Sequence, residues 1–159
     1  MITLPRFLTP AFLIGSMLGN FGCASDGPAP TKLKLLTTPR WRLVSAVQSV
    51  TVNGVTTTRD VYAQDYYDCS KDDFCKFNTD LTLVYDEGPI KCGGAQQSST
   101  GDWAFANNET ELVTPFNTIA HKGATIEELS IRKMRLNRDD SSPQQPAIIV
   151  NTAMTYTAF

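Results

Sequence analysis

Four cysteines, a single histidine and a short run of carboxylates are the side chains of this 159-residue chain best suited to chemistry. His121 lies between Ala120 and Lys122 in a stretch that reads as a loop, and no nucleophile motif accompanies it. No Ser-His-Asp array is therefore expected. Cys69, Cys75 and the distant Cys92 lack the spacing of a zinc site. Asp65, Asp68, Asp72 and Asp73 could offer oxygens to calcium, but the glycine and glutamate of a dedicated calcium loop are missing, so a solvated loop is expected. Gly93-Gly94 is not followed by the Gly-Lys-Ser/Thr and helix start of a phosphate loop. The expectation is a protein without catalytic residues, metal or cofactor, and not an enzyme.

The cysteines read more readily as structural. Phe74–Phe77 and Leu81–Tyr85 are two short alternating runs separated by Asn78-Thr79-Asp80, which predicts a hairpin. Cys69 and Cys92 stand just outside its two ends, which a hairpin brings together. They are the expected disulfide partners. A loop of about 24 residues closed this way is worth about 3 kcal/mol in the chain-entropy picture. Cys75 shares strand parity with Phe77 and is expected to remain a free thiol that points inward as a small apolar residue. A disulfide fits an oxidising compartment outside the cytoplasm.

The amino end agrees with export. Residues 1–22 carry Arg6 as their only charge, and Phe7 to Leu18 form an apolar core too short to span a bilayer, which needs about 20 residues. Gly19-Asn20-Phe21-Gly22 leads into Cys23 and resembles the lipobox of bacterial lipoproteins, with Asn20 where a leucine is usual. That resemblance implies cleavage before Cys23, acylation of its thiol and attachment to the outer membrane. Residues 23–38, with Ser25-Asp26-Gly27-Pro28-Ala29-Pro30, read as a flexible tether. The mature chain would keep 13 basic and 16 acidic residues, a mild negative charge that offers nothing to nucleic acid. A monomer is expected.

Residues 39–159 are long enough for one domain with its own core. Trp41 to Val52 is rich in β-branched residues and ends at Asn53-Gly54, a strong signal for a type I′ hairpin turn into Val55–Arg59. Asp60–Asp68 reads as a loop with a helical turn, and Gly93–Gly101 as a polar loop. Asp102–Ala106 puts Trp103 and Phe105 on one face, and Thr110–Thr114 returns after Asn107-Asn108. In Thr125–Leu136 the apolar parity switches between Ile131 and Met134, which predicts one long strand with a β-bulge near Arg132-Lys133; a helix is the competing reading. Ala147–Phe159 closes the chain after the turn at Asp139–Pro143. The fold class expected is all-β: an antiparallel up-and-down barrel of eight strands, closed so that no edge is exposed. Trp41, Phe77, Leu83, Trp103 and Phe105 are expected to point inward, where they would either fill the core or line a ligand cavity.

Trp41-Arg42-Leu43, Cys69-x-x-Asp72-Asp73, Phe77, the strand before Cys92, Gly101-x-Trp103 and Ile126-x-x-Leu129 together resemble the lipocalin-like domain of Bacteroidetes lipoproteins over residues 39–159. The resemblance implies a small calycin-type barrel, secreted and lipid-anchored, with no settled activity. The chain departs from that pattern at Asp80-Leu81-Thr82, where the family has Asp-Gly-Thr, and in its additional Cys75. Two functions follow as expectations. One is a module that binds a small apolar or amphipathic molecule in the barrel mouth. The other is a structural or interaction lipoprotein with a packed barrel whose loops meet a protein or a glycan.

Overall fold

A computed structural model describes residues 28–115 and 123–159. The export signal, Cys23 and His121 lie outside the described residues.

The described chain is all-β apart from two short helices, α1 (Lys32–Thr37) and α2 (Val61–Asp65), and one 3₁₀ turn at Asp68–Ser70. Ten strands make a single antiparallel sheet. They are β1 (Trp41–Val52), β2 (Val55–Asp60), β3 (Phe74–Phe77), β4 (Thr82–Asp86), β5 (Ser98–Asp102), β6 (Ala104–Ala106), β7 (Glu111–Val113), β8 (Ala124–Leu129), β9 (Lys133–Asp139) and β10 (Ile148–Ala158). Their order is β5-β4-β3-β1-β10-β9-β8-β7-β6, with β2 paired to the second half of β1. The first strand thus pairs with the last, from Trp41 opposite Ala158 to Val52 opposite Ile148.

Eight strands in a closed ring were expected; ten in an open order are found. Two local events account for the count. The switch of parity in Thr125–Leu136 is not a bulge at Arg132-Lys133 but a tight turn. The Ser130 hydroxyl accepts from the Lys133 amide at 3.0 Å, and β8 and β9 form a hairpin. The bulge lies earlier, between Ile126 and Glu128. The expected strand Asp102–Ala106 is divided at Trp103, and β5 begins within the stretch read as a polar loop. β5 escaped the pattern because an edge strand of Ser-Ser-Thr buries almost nothing.

The open order still returns on itself. β5 and β6 stand at opposite ends of the strand order, yet only Trp103 separates them in the chain. The sheet must therefore curl until its two edges come near. Pro115, after β7, approaches Gly101 of β5 so closely that a β-carbon added there would lie 2.6 Å from its ring. The concave face of the sheet holds the core: Trp41, Ala46, Phe77, Leu83, Leu112, Met134, Leu136 and Met154 are all buried.

Three turns show how residue type sets the path. Asn53 and Gly54 both take positive φ, 51° and 80°, as the type I′ turn requires. Leu81 also takes a positive φ, 68°, in the turn where the resembled family has glycine. Asp80 supports that turn, accepting from both the amide and the hydroxyl of Thr82. Gly88 sits against Asp72 at φ 67°, where any β-carbon would fall 2.7 Å from the Asp72 carbonyl oxygen.

The stretch read as a tether is ordered in its second half. Thr31 caps α1 through its side chain, Leu36 is fully buried, and the Lys76 ammonium donates to the carbonyls of Thr37 and Thr38 at the helix end. The folded unit accordingly begins before residue 39.

Candidate functional site

The Cys69–Cys92 disulfide is present, with its α-carbons 5.1 Å apart, and Cys75 is free. The bridge ties the segment after α2 to the loop that follows β4. Asp72 reinforces the tie by accepting from the Ile90 amide at 2.9 Å. Together they tie residues 69–72 to residues 90–92.

Tyr66, Ser70 and Asp73, in and beside that segment, line a cavity of about 240 Å³. Trp41, Phe77 and Leu83 line it as expected, joined by Leu43, Leu112 and Cys75. The far wall comes from β9 and β10 through Met134, Leu136, Met154 and Tyr156. Burial pushes the Cys75 thiol up to about 12, so it is an inert wall residue rather than a nucleophile. Burial likewise raises the Tyr156 hydroxyl, which reaches Met154 Sδ at 3.7 Å.

Trp103 and Phe105 do not line the cavity. At the break between β5 and β6 the Trp103 indole donates to the Asn78 carbonyl at 3.0 Å, which turns the ring toward the β3–β4 turn. It packs edge-on against Phe77 and Phe105, with centroids 5.6 and 5.3 Å away. Trp103 is part of the core and Phe105 packs against it.

The polar groups of the lining come from Tyr66, Ser70, Asp73, Tyr85, Thr114 and Arg138. Strand register places Arg138 opposite Thr152, and Thr152 opposite Gln48, several residues along β1 from the Trp41 end where α1 packs. The Arg138 guanidinium is paired with Asp140 through Nε at 2.5 Å and Nη2 at 3.2 Å, and Asp140 also accepts from Thr152 Oγ1. Asp73 is 6% exposed. Its Oδ2 accepts from the Tyr85 hydroxyl at 2.5 Å, whereas its Oδ1 is buried without a hydrogen-bond partner among the described residues. Burial is the main influence raising the Asp73 carboxyl above its ordinary range. The Tyr85 hydrogen bond opposes it, and the charges of Glu87, Asp72 and Asp86 add to it.

The acidic run therefore divides by function. Asp65 pairs with Arg59 at 2.8 Å and Asp68 with Lys71 at 2.7 Å, both at the surface. Asp72 braces the loop, and Asp73 faces the cavity. A signal for Asp73 was present: it shares parity with Cys75 and Phe77 and so points inward. Arg138 extends the inward set Met134 and Leu136 in the same way. No protein-family model and no characterised protein matches the chain.

Proposed function

We propose that this chain is an exported, lipid-anchored binding protein of the lipocalin-like type, and that it holds one small amphipathic molecule in the cavity of a barrel-like sheet. The observation that carries the reading is the cavity itself. About 240 Å³ of space is walled by Trp41, Phe77, Leu83, Met134 and Met154, with a few polar groups such as Asp73, Thr114 and Arg138 in the same lining. A packed interior, as the interaction-lipoprotein reading requires, would have been filled by those same side chains at ordinary core density. Ligand sites have this form: apolar walls and few polar groups placed to fix orientation. The Cys69–Cys92 bridge supports the export part of the proposal. Anchoring at Cys23 rests on the lipobox-like stretch before it.

Native mass spectrometry of the protein purified from its own host tests the binding role. The expected result is a retained small molecule that is lost in a Leu43→Trp variant, whose larger side chain occupies the cavity. Identical bare masses for both proteins, across preparations, would reject the binding module and favour the interaction role.

A further inference from the structure

The described chain enters the fold at the Trp41 end of the sheet. Pro28 is five residues after Cys23, a stretch that spans at most about 18 Å. Thr31 then caps α1, and the Leu36 carbonyl of that helix accepts from the Trp41 indole. An acyl chain on Cys23 would hold this end at the bilayer surface.

The outer wall at this end is basic. Trp41 and Leu43 line the cavity, so Arg42 between them points outward. Arg42 stands opposite Thr157, and Thr157 opposite Lys133, so the three side chains share the outer face of β1, β10 and β9. The Ala158 amide donates to the Arg132 carbonyl and the Phe159 amide to the Arg40 carbonyl, which brings two more arginines to the end of β10. The Arg40 and Arg42 guanidinium groups lie 4.5 and 4.3 Å from the centre of the Phe159 ring. Lys133 is paired with Glu128 and Arg135 with Glu127. Arg40, Arg42 and Arg132 have no carboxylate partner among the described residues. The other acidic side chains of this end lie away from them. Asp80 folds back onto Thr82, Asp102 stands opposite Thr82, and Glu109 is beside Lys32 at the start of α1.

Two large apolar side chains complete the patch. Ile131 precedes Arg132 in the β8–β9 turn, and both Ile131 and Phe159 are about half exposed. Arginines without carboxylate partners, flanked by exposed apolar groups, suit the surface of an anionic membrane. Lipid phosphates meet the cations there, and the apolar groups reach the boundary of the acyl chains. The chain as a whole is mildly acidic, so a negative surface turns this end toward itself.

We infer that the outer wall at the Trp41 end, through Arg40, Arg42, Arg132, Ile131 and Phe159, is a docking face for the anionic lipid surface to which the chain is tethered. The inference rests on the anchoring at Cys23 proposed above. It sets the pose of the sheet: the Asn53-Gly54 hairpin, at the far end of β1, points away from the bilayer.

Vesicle co-sedimentation of residues 23–159 carrying Cys23→Ser tests the face without an acyl group. The vesicles are phosphatidylcholine alone, or phosphatidylcholine with an equal part of phosphatidylglycerol, at low and at physiological salt. The expected result is binding to the anionic vesicles at least about fivefold stronger than to phosphatidylcholine, weakening as salt rises. Arg132→Gln should lower that binding about fivefold, the factor for one arginine at such a surface, and Arg40→Gln should do the same from a separate element. Lys91→Gln, an equal change of net charge at an exposed residue of the loop after β4, should leave it unchanged. No preference for the anionic vesicles, or equal losses from Arg132→Gln and Lys91→Gln, overturns the docking face. Retention on a polyanionic resin without that preference also overturns it, in favour of an acidic protein or polymer as the partner. Acylation of Cys23 is read separately from the mass of the wild-type protein, so failure of the anchor and failure of the face are told apart.

Discussion

The indole N–H of Trp41 donates to the backbone carbonyl of Leu36 at 2.9 Å, and both residues are fully buried. One hydrogen bond thereby ties helix α1 to the first residue of β1, the strand on which most of the sheet depends. β1 carries β10 on one side and β2 and β3 on the other.

Leu36→Ala should destabilise the protein by about 2–5 kcal/mol, the range for truncating a fully buried leucine. Urea unfolding followed by tryptophan fluorescence measures it. A loss below about 1 kcal/mol, the range of ordinary surface substitutions and their margin, would mean that α1 is not part of the folding unit.

Leu81→Gly should stabilise. Leu81 is half-exposed and holds φ at 68°, a conformation that costs an L-residue with a β-carbon about 1–2 kcal/mol and costs glycine almost nothing. The greater entropy of glycine in the unfolded chain offsets part of this, leaving a gain of about 0.5–1 kcal/mol. Thermal unfolding of the two proteins side by side decides the sign; a lower midpoint for the glycine variant would show that Leu81 makes contacts worth more than the strain.

Cys75 should resist alkylation by iodoacetamide in the folded protein at about pH 8 and react fully in concentrated guanidinium chloride, because burial holds its thiol up at about 12. Peptide mapping after such labelling should place the label on Cys75, with Cys69 and Cys92 joined. Reduction of that bridge should cost about 3 kcal/mol of stability, through the entropy returned to the unfolded chain. Rapid labelling of native Cys75 would contradict its inward position.

The Asp73 carboxyl takes up its proton more readily in the folded state than in the unfolded chain, because burial outweighs the Tyr85 hydrogen bond. Its contribution to stability is therefore complete below the unfolded value of about 3.9 and is lost as pH rises through the higher folded value. Relative to Asp73→Asn, the wild-type protein should gain stability as pH falls through that window. Urea midpoints of both proteins over a series of pH values test this. The opposite slope would require a cation beside Asp73 that the geometry does not provide.

Much of the core was legible in the sequence, and the misses share a physical origin. The Asn53-Gly54 hairpin, the Cys-bracketed hairpin, the disulfide and the inward faces of Trp41, Phe77 and Leu83 all follow from local rules: turn chemistry, parity and chain closure. Trp103 is buried in the core, one of the two inward roles its parity with Phe105 allows, but parity does not say which. The choice is made by the Asn78 carbonyl, 25 residues away, to which the indole donates. The β8–β9 turn was missed because Ser130-Ile131-Arg132 contains no glycine, proline or asparagine, and the Ser130 hydroxyl does the capping. The place of Asp73 in the cavity lining was passed over because it stood among three carboxylates of other roles. Parity with Cys75 separated it from them, but the acidic run drew attention to composition instead.

The break at Trp103 has a kinetic meaning. The two ends of the strand order, β5 and β6, are joined by one residue, so each meets the other at the effective concentration of a very short linker. An intruding strand from another molecule would have to outcompete that built-in neighbour. Edge-to-edge association at these two rims, the usual hazard of an unclosed sheet, is thereby opposed by covalent connectivity and not by charge or proline alone. Cleaving the backbone beside Trp103 would release both rims together, and a protein of unchanged composition would then acquire two adhesive edges.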